Sequence, residues 1–244
     1  MIRLIGSVFI YNNQAYQTFG YEKYRPLGNL KNILKIYDRH QVDEIFISVR
    51  QSKNEKSICN YTLQQIKDAN ISTPVIYSGG IKNIDDVRKC ISSGIERVGL
   101  NTLVFDKLAL LEIVKYIGIQ GVIAVIPFMK KNGEYYSFNS ATRNFERKMD
   151  DIIRNLPKEM EVLLIDTNND GLKKGFDWDK IKSIKSHNLL LQGGIINDLK
   201  NKTRISQKNI SGICVENTLL WKDLVAKKIK NKSNIFRAFI GESS

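Results

Sequence analysis

At 244 residues, 42% apolar and 26% charged, the chain is long enough to bury a sizeable core as one barrel or two small domains. Its formal charge of +13 is spread along the sequence, and no basic run interleaved with aromatics points to nucleic acid. Three scattered cysteines and two histidines supply neither a zinc site nor a histidine triad, so no metal or cofactor is expected and the cysteines suit free thiols in a reducing compartment.

The first segment, MIRLIGSVFI, has too short an apolar run for a signal peptide, and no stretch is long enough to span a membrane; a cytoplasmic protein is expected. An apolar strand is expected over 2–10, ending in a polar turn at Asn12 and Asn13. That end offers Phe9, Ile10 and Tyr11, with no carboxylate or lysine. The periodicity of NLKNILKIYDRH puts Leu30, Ile33, Leu34 and Tyr37 on one helix face. Further strands are expected over 44–49, 74–78, 96–101, 121–128, 161–166, 189–192 and 212–216. The segment 106–118 reads as a helix, opened by Asp106 as N-cap and closed by Gly118. Asn132-Gly133 within KKNGEYYSF predicts a hairpin after the fifth strand. Eight strands alternating with helices give the α/β fold class and a (β/α)8 TIM barrel over 1–244; a doubly wound sheet would lack its dinucleotide fingerprint after the first strand.

An internal echo supports two similar half-barrels. VIYSGGIKN (75–83) and LLLQGGIIN (189–197) align at an offset of 114, and each is followed one strand later by Asn-Thr, at Asn101-Thr102 and Asn217-Thr218. Glycines after a strand let backbone N–H groups approach a phosphate. Gly79-Gly80 and Gly193-Gly194 are therefore candidate phosphate cups, and tight strand-to-helix turns are the plain structural alternative.

These residues make the chain resemble the cyclase subunit of imidazole glycerol phosphate synthase over nearly its whole length. VDEIFI (42–47), SGGIKNIDD (78–86), ERVGLNT (96–102), DGLKKGFD (170–177) and QGG (192–194) carry the likeness. The resemblance implies phosphate binding by Gly79, Gly80, Asn101, Thr102, Asp170, Gly171, Gly193 and Gly194. It also implies two catalytic aspartates and a first-loop lysine, but Phe9, Pro127 and Gln17 stand at those positions. None of these side chains can hold and release a proton near neutral pH, so no catalytic residue is assigned. Glu216 falls where the family has a small residue. A carboxylate about 4 Å from a phosphate costs on the order of 4 kcal/mol at an effective dielectric of 20, which counts against the second cup.

The family's ammonia gate, four charges at strand starts, is matched by Arg3, Glu44, Arg97 and Glu161, with arginine for lysine at Arg97. Losing the catalytic groups while keeping the gate is similar to a glycosyl-amidation-associated paralogue group, whose first loop YQTFGYEKYRPLGNL (16–30) resembles. That resemblance implies a glutaminase subunit on the N-terminal barrel face and an N-acetyl sugar amidotransferase as recipient of ammonia, in surface-polysaccharide biosynthesis. Three alternatives stay open: a histidine-pathway cyclase with displaced groups drawn from Asp166 or Asp170, a different sugar-phosphate enzyme centred on the first cup, and a binding-only scaffold.

Overall fold

The computed structural model describes residues 2–50, 58–172, 174–179, 181–195 and 209–216. Eight parallel strands close on themselves: β1 (Arg3–Tyr11), β4 (Glu44–Arg50), β5 (Val75–Ser78), β6 (Arg97–Leu100), β7 (Val122–Lys131), β10 (Glu161–Asp166), β11 (Leu189–Gln192) and β12 (Ile210–Val215). They are hydrogen-bonded in the order β10-β11-β12-β1-β4-β5-β6-β7, and β7 pairs back to β10, which makes the (β/α)8 TIM barrel. All eight lie within a few residues of the expected strands.

Period-2 alternation sends one set of side chains inward and the other towards the helices. The inner set includes Ile5, Phe46, Ile76, Ile123, Val125, Leu163, Ile165, Leu190 and Cys214, all buried. The outer set packs against α1 (Leu30–Arg39), α2 (Asn60–Ala69), α3 (Ile84–Ser92), α4 (Lys107–Ile117) and α5 (Met149–Asn155). Asp106 opens α4 as expected, accepting from Leu108 and Ala109 N, and Asn29 opens α1 in the same way, accepting from Lys31 N. Leu30, Ile33, Leu34 and Tyr37 form the buried face of α1. The Tyr37 ring lies over Gly6, where a Cβ would stand 2.8 Å from its Cγ, and its hydroxyl donates to Ser7 O at 2.7 Å. Between β10 and β11 the described residues hold a 3-10 turn, Ile181–Ser183, where the regular pattern would place a helix.

Two ribbons stand above the barrel mouth and were not fully expected. The turn at Asn12 and Asn13 has φ of 46° and 64° and leads into β2 (Gln14–Phe19) and β3 (Lys23–Gly28). The segment read as a loop is therefore an antiparallel meander. The expected hairpin after the fifth strand exists as β7 with β8 (Glu134–Asn139), turned by Asn132 and Gly133 at φ of 53° and 80°, and it gains a third strand, β9 (Asn144–Lys148). Paired positive φ values match the right-handed strand twist, which is why Asn and Gly sit there. Each half of the barrel thus opens with a strand that continues into a three-stranded ribbon.

Among the described residues no helix is long and apolar enough to cross a membrane, and no group of three or more His, Cys, Asp or Glu is placed to hold a metal ion. Cys59, Cys90 and Cys214 are all free thiols.

Candidate functional site

The two ends of the barrel axis differ in chemistry. At the N-terminal end the first inward residues of four strands meet. Arg3 Nη1 donates to Glu44 at 2.8 Å and Arg3 Nη2 to Glu161; Arg97 Nη1 donates to Glu44 at 3.0 Å and Nη2 to Glu161 at 2.8 Å. Each carboxylate therefore bridges both guanidinium groups, and the formal charges sum to zero. The Arg97, Glu44 and Glu161 side chains are 13%, 9% and 10% exposed, low enough that an unpaired member would be costly. Arg97 Nε is further fixed by Gln120 O at 2.8 Å. The ring forms the floor of a cleft of ≈ 580 Å³, which Glu159, Asn188 and Ser211 also line.

Above the ring, the inner apolar set packs as a buried apolar layer across the axis (the sleeve), and above that the inward residues turn polar. Ser7, Gln192 and Glu216 follow Ile5, Leu190 and Cys214 by two positions, so alternation keeps them on the axial side. Ser7 Oγ donates to Gln192 Oε1 at 3.1 Å, and Gln192 Nε2 donates to Glu216 Oε1 at 2.9 Å. Thr18, on β2, donates to Asp170 Oδ2 and lies 3.4 Å from Glu216 Oε1. Burial, opposed by the Thr18 hydroxyl, pushes the Asp170 carboxyl up to about 7. Burial and the neighbouring Asp170 charge raise Glu216 as well.

A raised carboxyl pKa favours the folded state below the ordinary value of 3.8, and that advantage is lost as pH rises through about 7. Asp170→Asn keeps an acceptor for Thr18 and removes the ionisation cost. The variant is expected to be more stable than the parent at about pH 8, by up to roughly 4 kcal/mol, with the margin closing towards about pH 4. Urea unfolding at both pH values measures this, and an equal margin at both would contradict it.

The mouth is roofed by aromatics. Phe9 is 5% exposed and stacks on Tyr24, centroids 5.4 Å apart and planes 6° from parallel. Tyr11 stacks on the same ring at 6.0 Å. Arg50 donates to Tyr24 Oη, and its guanidinium lies 5.4 Å from the Tyr21 centroid and 5.5 Å from that of Phe138. Tyr21 and Phe138 belong to different ribbons and touch edge to face, so Arg50 clasps the two ribbons together. The structure places the three residues that stand at the family's catalytic positions as follows. Phe9 is in this stack, Pro127 is the inward residue beyond Val125, and Gln17 is buried on β2 with Oε1 unpaired.

The glycine pairs lie on one rim: they follow β5 and β11, parallel strands four places apart around an eight-stranded barrel. All four have positive φ. A Cβ on Gly79 would stand 2.1 Å from Val49 O, and one on Gly193 would stand 2.4 Å from Asp166 O. Gly79, Gly80, Asn101 and Thr102 line a cavity of only ≈ 60 Å³ shared with Pro127 and Tyr21. The Asn101 side chain is occupied: Nδ2 donates to Val125 O and Phe138 O, and Oδ1 accepts from Ser140 N at 2.9 Å. A ligand there would meet backbone N–H groups and Thr102 instead of this amide. Asp170 and Gly171 are packed beneath the first ribbon, with Gly20 N donating to Asp170 O at 2.7 Å. Asn217 and Thr218, the second half of the echo, lie outside the described residues. Asp166 is also occupied, accepting from Asn169 Nδ2 at 2.7 Å and Asp177 N at 2.8 Å to close the loop after β10.

Sequence reading missed Thr18, Arg50, Gln192 and Ser7 as members of these sites. The strand alternation carried a signal for Ser7 and Gln192, while Arg50 becomes visible only once both ribbons are known.

The family model described as "Histidine biosynthesis protein" matches residues 10–224. The chain belongs to this family. Its members similar to this chain include "Putative imidazole glycerol phosphate synthase subunit HisF" of Leptospira interrogans, 22% identical over 243 residues and 95% of each chain. "Putative imidazole glycerol phosphate synthase subunit hisF2" of Pseudomonas aeruginosa is 25% identical over 190 residues, 76% of each chain. "Imidazole glycerol phosphate synthase subunit HisF" of Buchnera aphidicola is 27% identical over 176 residues, 68% of each. The protein is thus a cyclase-like barrel of the histidine biosynthesis family.

Proposed function

We propose that this barrel has lost cyclase chemistry and serves as the ammonia-conducting partner of a glutaminase, supplying an N-acetyl sugar amidotransferase in surface-polysaccharide biosynthesis. The observation that carries the reading is the closed, fully paired ring of Arg3, Glu44, Arg97 and Glu161 at the foot of an apolar sleeve. Neutral ammonia suits such a sleeve, whereas an ion entering it would have to shed its hydration. Ammonia released into water would be diluted and mostly protonated, so a glutaminase would have to cover the 580 Å³ cleft. Phe9, Gln17 and Pro127 support the loss of cyclase chemistry, and the first-loop likeness to the glycosyl-amidation group supports the recipient. On this reading the protein is a single cytoplasmic domain.

The test is reconstitution with a glutaminase and an N-acetyl sugar amidotransferase encoded in the same genome. The barrel is expected to form a complex with the glutaminase and to raise the amount of amidated sugar formed per glutamine consumed. No complex and an unchanged yield would overturn the reading.

A second reading is a histidine-pathway cyclase, favoured by the family match and by the names of the relatives. It would have to find its acid among Asp166, Asp170 and Glu216.

A further inference from the structure

We propose that Glu216, sharing one proton with Asp170, is an acid–base residue at the exit of the barrel axis that acts on ammonia leaving the sleeve. The inference deepens the ammonia-conducting reading and rests on it.

The placement is set by strand alternation. Cys214 belongs to the apolar sleeve, and Glu216, two residues on, faces the same side immediately above it. Gln192 and Ser7 stand beside it in the same position above Leu190 and Ile5. A molecule rising from the charged ring thus crosses an apolar layer and then meets this polar step, where Glu216 is the group able to exchange a proton. The step contains no cation among the described residues that would hold Glu216 as a simple ion pair.

The hydrogen bonds set the proton count. Thr18 has one hydroxyl proton and donates it to Asp170, while Glu216 Oε1 lies 3.4 Å from the same oxygen. Two ionised carboxylates around one hydroxyl would leave one of these contacts as facing lone pairs. One proton on the pair removes that conflict, as expected for buried like charges. Gln192 is oriented by Ser7 so that its N–H points at Glu216, which favours the carboxylate form after the proton has left.

The step balances without any further reactant. The carboxyl O–H of Glu216 breaks, its proton bonds to the nitrogen lone pair, and neutral ammonia and carboxyl become ammonium and carboxylate. The pair then holds the cation at the exit. Return of the proton to the carboxylate releases neutral ammonia to the acceptor. Glu216 stands where the family has a small residue, so this step would distinguish the chain from the cyclases it resembles.

The test uses the barrel alone, with carbon-13 labels on the Asp and Glu carboxyls and ammonium chloride as the probe. Sodium chloride and tetramethylammonium chloride at matched ionic strength are the controls. Ammonium is expected to shift the Asp170 and Glu216 resonances with saturation, and the controls are not. Glu216→Gln should weaken the response of Asp170 at least tenfold, and Thr18→Val, which keeps both carboxyls, should weaken it less. No saturable response, or an equal response to sodium, would overturn the proposal and leave the pair as a strut under the first ribbon. Glutaminase docking does not enter this measurement, so failure of that reading and failure of this one are seen separately.

Discussion

Arg97→Ala is expected to lower the amount of sugar amidated per glutamine several-fold while excess ammonium salt restores product formation. The arginine holds both Glu44 and Glu161, so its removal leaves two carboxylates sharing Arg3 alone. Removing one partner of a fully buried pair costs roughly 3–5 kcal/mol, and the partial exposure of the ring, 28% at the Arg3 side chain, brings the expected loss below that range, to about 2–3 kcal/mol. Urea unfolding of wild type and variant measures that loss. Arg97→Lys keeps the charge, forfeits the fork that reaches both carboxylates, and should fall between the two. A folded alanine variant with an unchanged yield per glutamine would make the ring structural and the barrel a docking scaffold.

The second large effect is an absence. Given ammonium and the bisphosphate substrate of imidazole glycerol phosphate synthase, the purified protein is expected to form no imidazole product above background. A positioned acid or base contributes about 10²–10⁴ in rate, so losing two removes on the order of 10⁴–10⁸. Restoring aspartates as Phe9→Asp and Pro127→Asp should not recover the activity, because Tyr21 still hems the first cup to a cavity of ≈ 60 Å³ and Tyr24 still lies over the end of β1. Turnover near that of a true cyclase would show that another acid acts, with Asp170 and Glu216 the first to replace.

The barrel itself was legible because its eight strands are short apolar runs buried on both faces, most of them separated by amphipathic helices, of which α1, α3 and α4 open on a side-chain cap. The charge ring was legible through resemblance, and its pairing follows from the four residues standing at the same level of the barrel. The ribbons were not. KYRPLG has a largely exposed pattern and contains a proline, so its pairing comes from the turn at Gly20-Tyr21, with φ of 59° and 62°, and from partners on β2, with no buried face of its own. The same holds for NFERK in β9. The carboxyl pair was half legible: Glu216 stood out as a charge out of place, but its partner lies forty-six residues earlier, after β10, and the two are linked by Thr18 of the first ribbon.

Closure has a consequence for how the protein is made. β1 takes its second neighbour from β12, with Arg3 opposite Gly212 and Gly6 opposite Val215. While the chain emerges from the ribosome, the Arg3–Gly6 edge of β1 stays unpaired for about 200 residues of synthesis, roughly 10–40 s at about 5–20 residues per second. Leu4 and Ile5, later fully covered, are exposed on that edge throughout. The nascent first half is therefore the aggregation-prone stage of this protein's life, and chaperone occupancy should end when Val215 clears the exit tunnel.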